Sequence, residues 1–327
     1  MMKRCCATLL ILSFLLSFAK AEKHLTLSEP VNSICRVVGE NRFVSDSASF
    51  GIDKMTNLVE IFNAAIDALG KNRPPIYLYF VESSRSHAIA CTFDENSPGY
   101  NYLLENLHAD AFDHLKYSTY EQFCDYFYTT DHHWNYKGSY QGYVDIVRLL
   151  LGEDEEVLVP TDIVVTNRLF NGAYAKILKE PISDEYFAFY RFDPFPSYSC
   201  YTSLDNLMKN KYINYGNFDL YIQGKINKYP YTNHYGQWYG GDFGFLLFKG
   251  QGPKGRVLLM FGNSLSNPVK TLLTVHYSTI VYVDLRHYKE HHNQDFSLND
   301  AIEKYRVTQV LFLGDISLFI DGDPLLP

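Results

Sequence analysis

Four short runs of large or β-branched apolar residues constrain this chain more than anything else in it: Ile76 to Val81, Val257 to Phe261, Ile280 to Asp284 and Gln309 to Leu313. Runs of that length without polar alternation are the pattern of strands buried on both faces. Helical periods accompany them. Lys54 to Leu69 lines up Met55, Leu58, Ile61, Phe62, Ala65 and Leu69 and stops at Gly70, after which Pro74 and Pro75 introduce the first strand. Lys137 to Leu151 lines up Tyr140, Tyr143, Val144, Val147, Leu150 and Leu151, and Gly152 with the acidic Glu153 to Glu156 ends it. Pro268 to Val275 and Asn299 to Tyr305 read as the helices between the last three strands. Strands and helices in alternation predict an α/β domain with a mainly parallel central sheet.

The middle of the chain has another texture. From Val157 to Gly255, turn formers separate short aromatic pieces such as Tyr186 to Phe192 and Leu220 to Gln223, and eleven tyrosines fall between Tyr186 and Tyr239. This predicts a β-rich aromatic insertion over 157–255, near the active-site edge of a single domain spanning 22–327. Trp238, in Gln237-Trp238-Tyr239-Gly240-Gly241, offers either a flat face for a sugar ring or packing for short strands. With 29 Lys and Arg against 37 Asp and Glu, the net charge is −8. A phosphate backbone needs a basic surface, so nucleic acid is not an expected partner.

The first 21 residues read as a secretory signal. Lys3 and Arg4 precede an apolar stretch from Ala7 to Ala19, and Ala19-Lys20-Ala21 is a small-x-small cleavage site. The stretch is shorter than the roughly 20 residues a membrane-spanning helix needs. A secreted or cell-surface location follows as an expectation, with an uncleaved anchor as the alternative. Cleavage leaves Cys35, Cys91, Cys124 and Cys200, which allow three disulfide pairings or buried thiols.

Two places could carry chemistry. In Thr130-Asp131-His132-His133-Trp134, just before a helix, Asp131 and His133 are two apart, and in an extended segment they would project to one side. A carboxylate holding one imidazole nitrogen leaves the other to act as a base. The plainer reading is a loop histidine with a local hydrogen bond. In Phe261-Gly262-Asn263-Ser264-Leu265-Ser266-Asn267-Pro268, Ser264 stands just past the carboxyl end of a strand, where open α/β sheets bind ligands. Gly262 permits a tight turn there, and main-chain N–H groups at the following helix could receive an oxyanion. The plainer reading is a helix cap, and Ser266 is a competing nucleophile. Arg286, ending a strand at the same edge, could hold an anionic or acyl oxygen or pair with Asp284. His287, His291, His292 and Asp295 suggest metal ligands or, with Lys289 and Glu290 among them, a solvated loop.

These residues carry a resemblance. Asp131-His132-His133-Trp134 gives its name to the DHHW family of exported bacterial proteins, which this chain resembles. That family is similar to the SGNH-hydrolase-like domains of alginate O-acetyltransferases, where an Asp-x-His-Trp motif precedes a serine in a Gly-x-Ser turn. The likeness takes in Tyr128, Lys137-Gly138, Gly262-Asn263-Ser264 and Asp284-Leu285-Arg286-His287-Tyr288. It implies a three-layer SGNH-like fold with Ser264 as nucleophile, His133 as general base and Asp131 as its orienter. Arg286, Trp134, Tyr128 and Asn263 are then the candidate substrate contacts. The implied function is acyl transfer to, or acetyl-ester hydrolysis on, an exported polysaccharide. A membrane acyltransferase is the implied acyl donor, and no cofactor or metal is expected. Asn263 stands where an SGNH serine commonly follows Asp, and no separate Gly or Asn block assigns a second oxyanion donor. Two other classes remain: a non-catalytic glycan-binding or surface-assembly protein, and a manganese phosphoesterase, since Asp-His-His occurs there too.

Overall fold

The computed structural model describes residues 26–45, 52–82, 98–203, 206–208 and 229–327. The 1–21 leader, Cys91 and the 220–223 run lie outside them. An eight-stranded sheet forms the centre. In chain order its strands are β1 (Ile76–Phe80), β2 (Ala111–His114), β3 (Ser199–Ser203), β4 (Asn206–Met208), β5 (Phe245–Lys249), β6 (Val257–Gly262), β7 (Thr279–Val283) and β8 (Gln309–Gly314). Their spatial order is β2-β1-β8-β6-β7-β5-β3-β4. The first five run parallel, whereas β5 pairs antiparallel with β7, and β3 with β5. The four predicted strands are the four inner parallel ones. The sequence reading did not foresee β2, nor that β3 and β5, inside the 157–255 stretch, extend the central sheet.

Both faces of the sheet are covered, which is why the inner strands read as unbroken apolar runs. Leu258 and Met260 of β6 point into one core, and Leu259 and Phe261 into the other. The helices are α1 (Ile52–Ala68), α2 (Pro98–Asn106), α3 (Tyr120–Tyr126), α4 (Tyr136–Leu151), α5 (Ala173–Leu178), α6 (His234–Tyr239), α7 (Asn267–Lys270), α8 (Tyr288–His292) and α9 (Leu298–Tyr305). Helix α1 buries Met55, Leu58, Val59, Phe62, Ala65 and Ile66 together with α2 and α9. Helices α3, α4 and α7 supply the opposite core. No helix among the described residues is long and apolar enough to cross a membrane. Cys200 of β3 is a buried free thiol whose pKa burial pushes up to about 12, against the pull of the Lys270 charge.

Helix α4 turns inward the side its large residues predict, with Leu151 also packed against that core, and widens it with two glycines. Its buried face holds Gly138, Gly142, Tyr143, Ile146, Val147 and Leu150, while Tyr140 and Val144 are only partly covered. The reason for the glycines is Trp134. Its ring lies against α4 so closely that a Cβ on Gly142 would come within 2.5 Å of it. The two glycines, one turn apart, make a groove that a helix of ordinary side chains would fill. Asn135 starts the helix, its Oδ1 accepting from the N–H groups of Lys137 and Gly138.

The chain leaves β6 for β7 on one side and returns from β7 to β8 on the other. Around the carboxyl end of β6 the strand order therefore reverses, and a crevice opens there.

Candidate active site

Ser264 is the second residue beyond β6, at the head of a 3₁₀ turn over Ser264–Ser266. Asn263 builds that turn. Its Oδ1 accepts from Leu265 N–H at 3.1 Å, and its Nδ2 donates to Asp315 Oδ1 at 2.8 Å and Ser317 Oγ at 3.0 Å. The turns after β6 and β8 are thereby pinned together. A Cβ on Gly262 would lie 2.7 Å from Ser266 Oγ and 2.9 Å from Tyr282, so only glycine fits this corner. Ser266 is fully buried and its hydroxyl donates inward to Asn263 O at 2.6 Å.

Asp131 and His133 arrive from the far side of the crevice. Tyr128 N–H bonds to His133 O at 3.3 Å and Asn135 N–H to Tyr126 O at 2.8 Å, so residues 126–135 fold back as a narrow loop. Asp131 and His133 meet through a bend, not through the extended segment that their spacing predicts. One carboxylate oxygen, Oδ1, accepts from His133 N–H at 2.9 Å and sits 2.5 Å from His133 Nδ1. The other, Oδ2, accepts from Ala173 N–H at 2.6 Å, at the start of α5. With Nδ1 donating to the carboxylate, Nε2 is left to accept, and Ser264 Oγ lies 2.8 Å from it. Burial alone would raise the Asp131 carboxyl. The charges of His133 and His132, with the hydrogen bonds from His133 and Ala173, outweigh it and hold the group well below the usual carboxylate range.

Two more rings bear on His133. His132 lies 3.9 Å away, centre to centre. Tyr235 of α6 stacks on it at 4.0 Å and 21°, and the Tyr235 hydroxyl donates to Ser264 O at 2.9 Å. No pattern in the sequence marked Tyr235 among the eleven tyrosines of its region. Gly172 was equally silent. A Cβ there would come within 2.2 Å of Asp131 Oδ2, so the close approach of Ala173 N–H depends on glycine. Gly172→Ala is expected to push the carboxylate aside and slow any reaction that runs through His133 and Ser264 about 10²-fold with the circular dichroism spectrum unchanged, since small misplacements carry costs of that order. Full activity in that variant would mean that Asp131 needs no such grip.

A cavity of about 350 Å³ opens over this chain of groups. Besides Asp131, His133 and Ser264 its walls carry His132, Lys176, Tyr231, Asp242, Asn267 and Arg286. Arg286 does two jobs. It lines the cavity, and its Nε and Nη2 donate to Asp284 at 2.9 and 2.7 Å. Trp134, Tyr128 and Asn263, expected beside the substrate, do not line the cavity. Trp134 and Tyr128 are packed in the core, and the Asn263 amide is consumed by the turn. Trp238 is likewise buried, stacked on Phe189 at 3.9 Å, so it packs strands and offers no open face.

Two groups among the described residues bring metal-ligating atoms within 4.8 Å of one another: Asp131, His132 and His133, and Asp242, Asp284 and His287. In the first, both ring nitrogens of His133 are already engaged by Asp131 and Ser264. In the second, Asp284 is taken up by Arg286. His291 accepts from Gly244 N–H at 3.3 Å, and Asp295 pairs with Lys289 at 2.8 Å, so neither joins such a group.

Comparison with known proteins places the fold. No protein-family model matches the chain, and no curated protein matches it in sequence. Solved structures do. A DHHW family protein from Eubacterium siraeum superposes with a TM-score of 0.62 over 90% of this chain and 94% of its own, at 17% identity. The chain has the fold of a DHHW family protein. PatB1 from Bacillus cereus, solved with a sulfonyl adduct, shares that fold with a TM-score of 0.64 over 91% of this chain and all of its own, at 16% identity. AlgX from Pseudomonas aeruginosa aligns at a TM-score of only 0.38 and 11% identity, too distant to bear on the DHHW fold assigned here.

An imidazole held by a carboxylate and touching a hydroxyl can take the hydroxyl proton as the oxygen attacks an electrophile. The chain thus brings a carboxylate, an imidazole and a hydroxyl together beyond the carboxyl end of β6.

Proposed function

We propose that this chain is a serine-dependent acyl enzyme, an O-acetyltransferase or acetyl esterase acting on an extracellular or cell-wall polysaccharide. The observation that carries the proposal is the unbroken sequence of contacts from Asp131 through His133 to Ser264 Oγ, the last two residues lying 131 positions apart. Ser264 Oγ attacks the acyl carbon, its proton passes to His133 Nε2, and the carbonyl electron pair moves onto oxygen. When that pair returns, the bond to the leaving alcohol breaks, and His133 gives the alcohol its proton. In the second half, water or a sugar hydroxyl attacks the acyl-serine, losing its proton to His133, and Ser264 takes it back as it departs. Asp131 keeps Nδ1 protonated and offsets the imidazolium charge.

The acceptor separates esterase from transferase, and the resemblance to polysaccharide O-acetyltransferases favours transfer. A membrane acyltransferase would then supply the acyl group, and the 1–21 leader would carry the chain to it. Arg286, clamped by Asp284, is suited to bind an acyl or carboxylate oxygen. A sulfonyl group is an acyl-like electrophile, so the adduct seen with PatB1 supports a reactive nucleophile in this fold.

The test is to treat the purified chain with phenylmethanesulfonyl fluoride and map the product by mass spectrometry. One sulfonyl group on Ser264 is expected, with loss of acetyl-ester turnover in step. Absence of labelling, or labelling only elsewhere, would refute the proposal.

A further inference from the structure

The acyl mechanism needs a donor for the negative oxygen besides the Ser264 main chain, and residues just beyond Ser264 carry the means. In a 3₁₀ turn, side chains three apart eclipse one another. Asn267 N–H bonds to Ser264 O, which closes such a turn and sets the Asn267 side chain on the face that Ser264 occupies. Both residues line the cavity. The Asn267 carboxamide does not float. Lys270 Nζ donates to its Oδ1 at 2.6 Å, which fixes the amide so that Nδ2 points the other way. That nitrogen reaches Gly240 O at 3.3 Å and Asp242 Oδ1 at 3.4 Å, both on the cavity wall and both at the outer limit of a hydrogen bond. Both contacts are long, so a stronger acceptor in the cavity can compete for its two hydrogens.

Lys270 is unusual in itself. It is 3% exposed, its ammonium lies 4.6 Å from the centre of the Tyr282 ring, and Asn267 Oδ1 is its hydrogen-bond acceptor. A cation is costly to bury. Around it stand Asp242, Asp284 and Cys200, with Arg286 paired to both aspartates. The aspartates are shared with Arg286, which leaves the amide dipole of Asn267 as the group that the ammonium orients.

We propose that Asn267, oriented by the buried Lys270 ammonium, donates a hydrogen bond to the oxygen that becomes negative when Ser264 attacks an acyl group. Lys270 is then a positioning residue, acting through Asn267 and through its charge behind the amide. The proposal rests on the acyl-enzyme reading above. Preorganised donors of this kind matter most in the transition state, so their removal lowers kcat and leaves KM nearly unchanged. Burial pushes the Lys270 ammonium down to about 8, against the pull of Asp242, Cys200 and Asp284. Above that pH the amide loses its cationic anchor.

The experiment measures kcat and KM for 4-nitrophenyl acetate between pH 6 and 10, with phenylmethanesulfonyl fluoride labelling alongside. Asn267→Ala is expected to lower kcat about 10²-fold or more with KM within about threefold. Lys270→Met is expected to lower kcat by about tenfold and to abolish the alkaline fall in rate expected of the unaltered chain near pH 8. Lys270→Gln, still able to donate to Oδ1, recovers part of the rate. Asn267→Ala turning over within about threefold of the unaltered chain, or an alkaline limb unchanged in Lys270→Met, overturns the proposal while Ser264 labelling leaves the acyl-enzyme reading intact. Where a variant does not fold, the unaltered chain decides: a kcat flat from pH 7 to 10 overturns it. No labelling of Ser264 at all overturns both.

Discussion

Replacing Ser264 with alanine is expected to lower acetyl-ester turnover about 10⁴-fold or more, because the serine and its base act as a unit and the loss of either removes nearly all of the rate. The same holds for His133→Ala, and the double variant should be no slower than either single one. Non-additivity of that kind separates a working pair from two residues that merely support the cavity. Folding should survive, since Ser264 Oγ gives up only its contact with His133. Ser266→Ala is the control. Its hydroxyl is buried and bonded to Asn263 O, so Ser266→Ala should still react with a sulfonyl fluoride at Ser264. Ser264→Ala retaining more than about a tenth of the turnover would end the acyl-serine mechanism.

Trp134→Ala is expected to cost about 3–5 kcal/mol of folding stability, the range for truncating a fully buried large aromatic side chain. Trp134 has no exposed surface, and its ring occupies the groove over Gly142. Urea denaturation of the two proteins at one pH gives the difference directly, and an unchanged slope would show that the unfolded state is not involved. The effect reaches function as well. Trp134 follows His133 and precedes the Asn135 cap of α4, so its seat fixes the loop that presents the imidazole. A loss below about 1 kcal/mol would mean that the groove closes without it.

The parallel strands were legible because burial on both faces leaves no polar residue to break the run. β2 was not, because Ala111-Phe112-Asp113-His114 lies at the sheet edge and is only partly buried throughout. β5 was hidden differently. Phe245 to Phe248 is as apolar as the inner strands, yet nothing in four residues tells which neighbour it joins or in which direction it runs. At the candidate site, Asp131, His133 and Ser264 could be picked out by residue type and by their places at element ends. Their meeting could not, since it depends on how a sheet edge brings a loop to a turn 131 positions away. Ala173 illustrates the limit best: it contributes through a backbone N–H, which every residue but proline possesses. The inward side of α4 was legible in its large residues but not in its glycines. Large residues dominate a periodicity argument, and here glycines mark the contact.

The 157–255 stretch grips every member of the Asp131, His133 and Ser264 set: Ala173 holds the first, the ring of Tyr235 lies on the second, and its hydroxyl ties down the carbonyl of the third. The same stretch forms much of the wall that a ligand would meet. For the acyl enzyme proposed above, selectivity and rate are therefore mechanically linked. A chimera that borrowed another relative's wall to change the ligand accepted would also have to import matching clasps, or it would recognise its new ligand and leave it untouched.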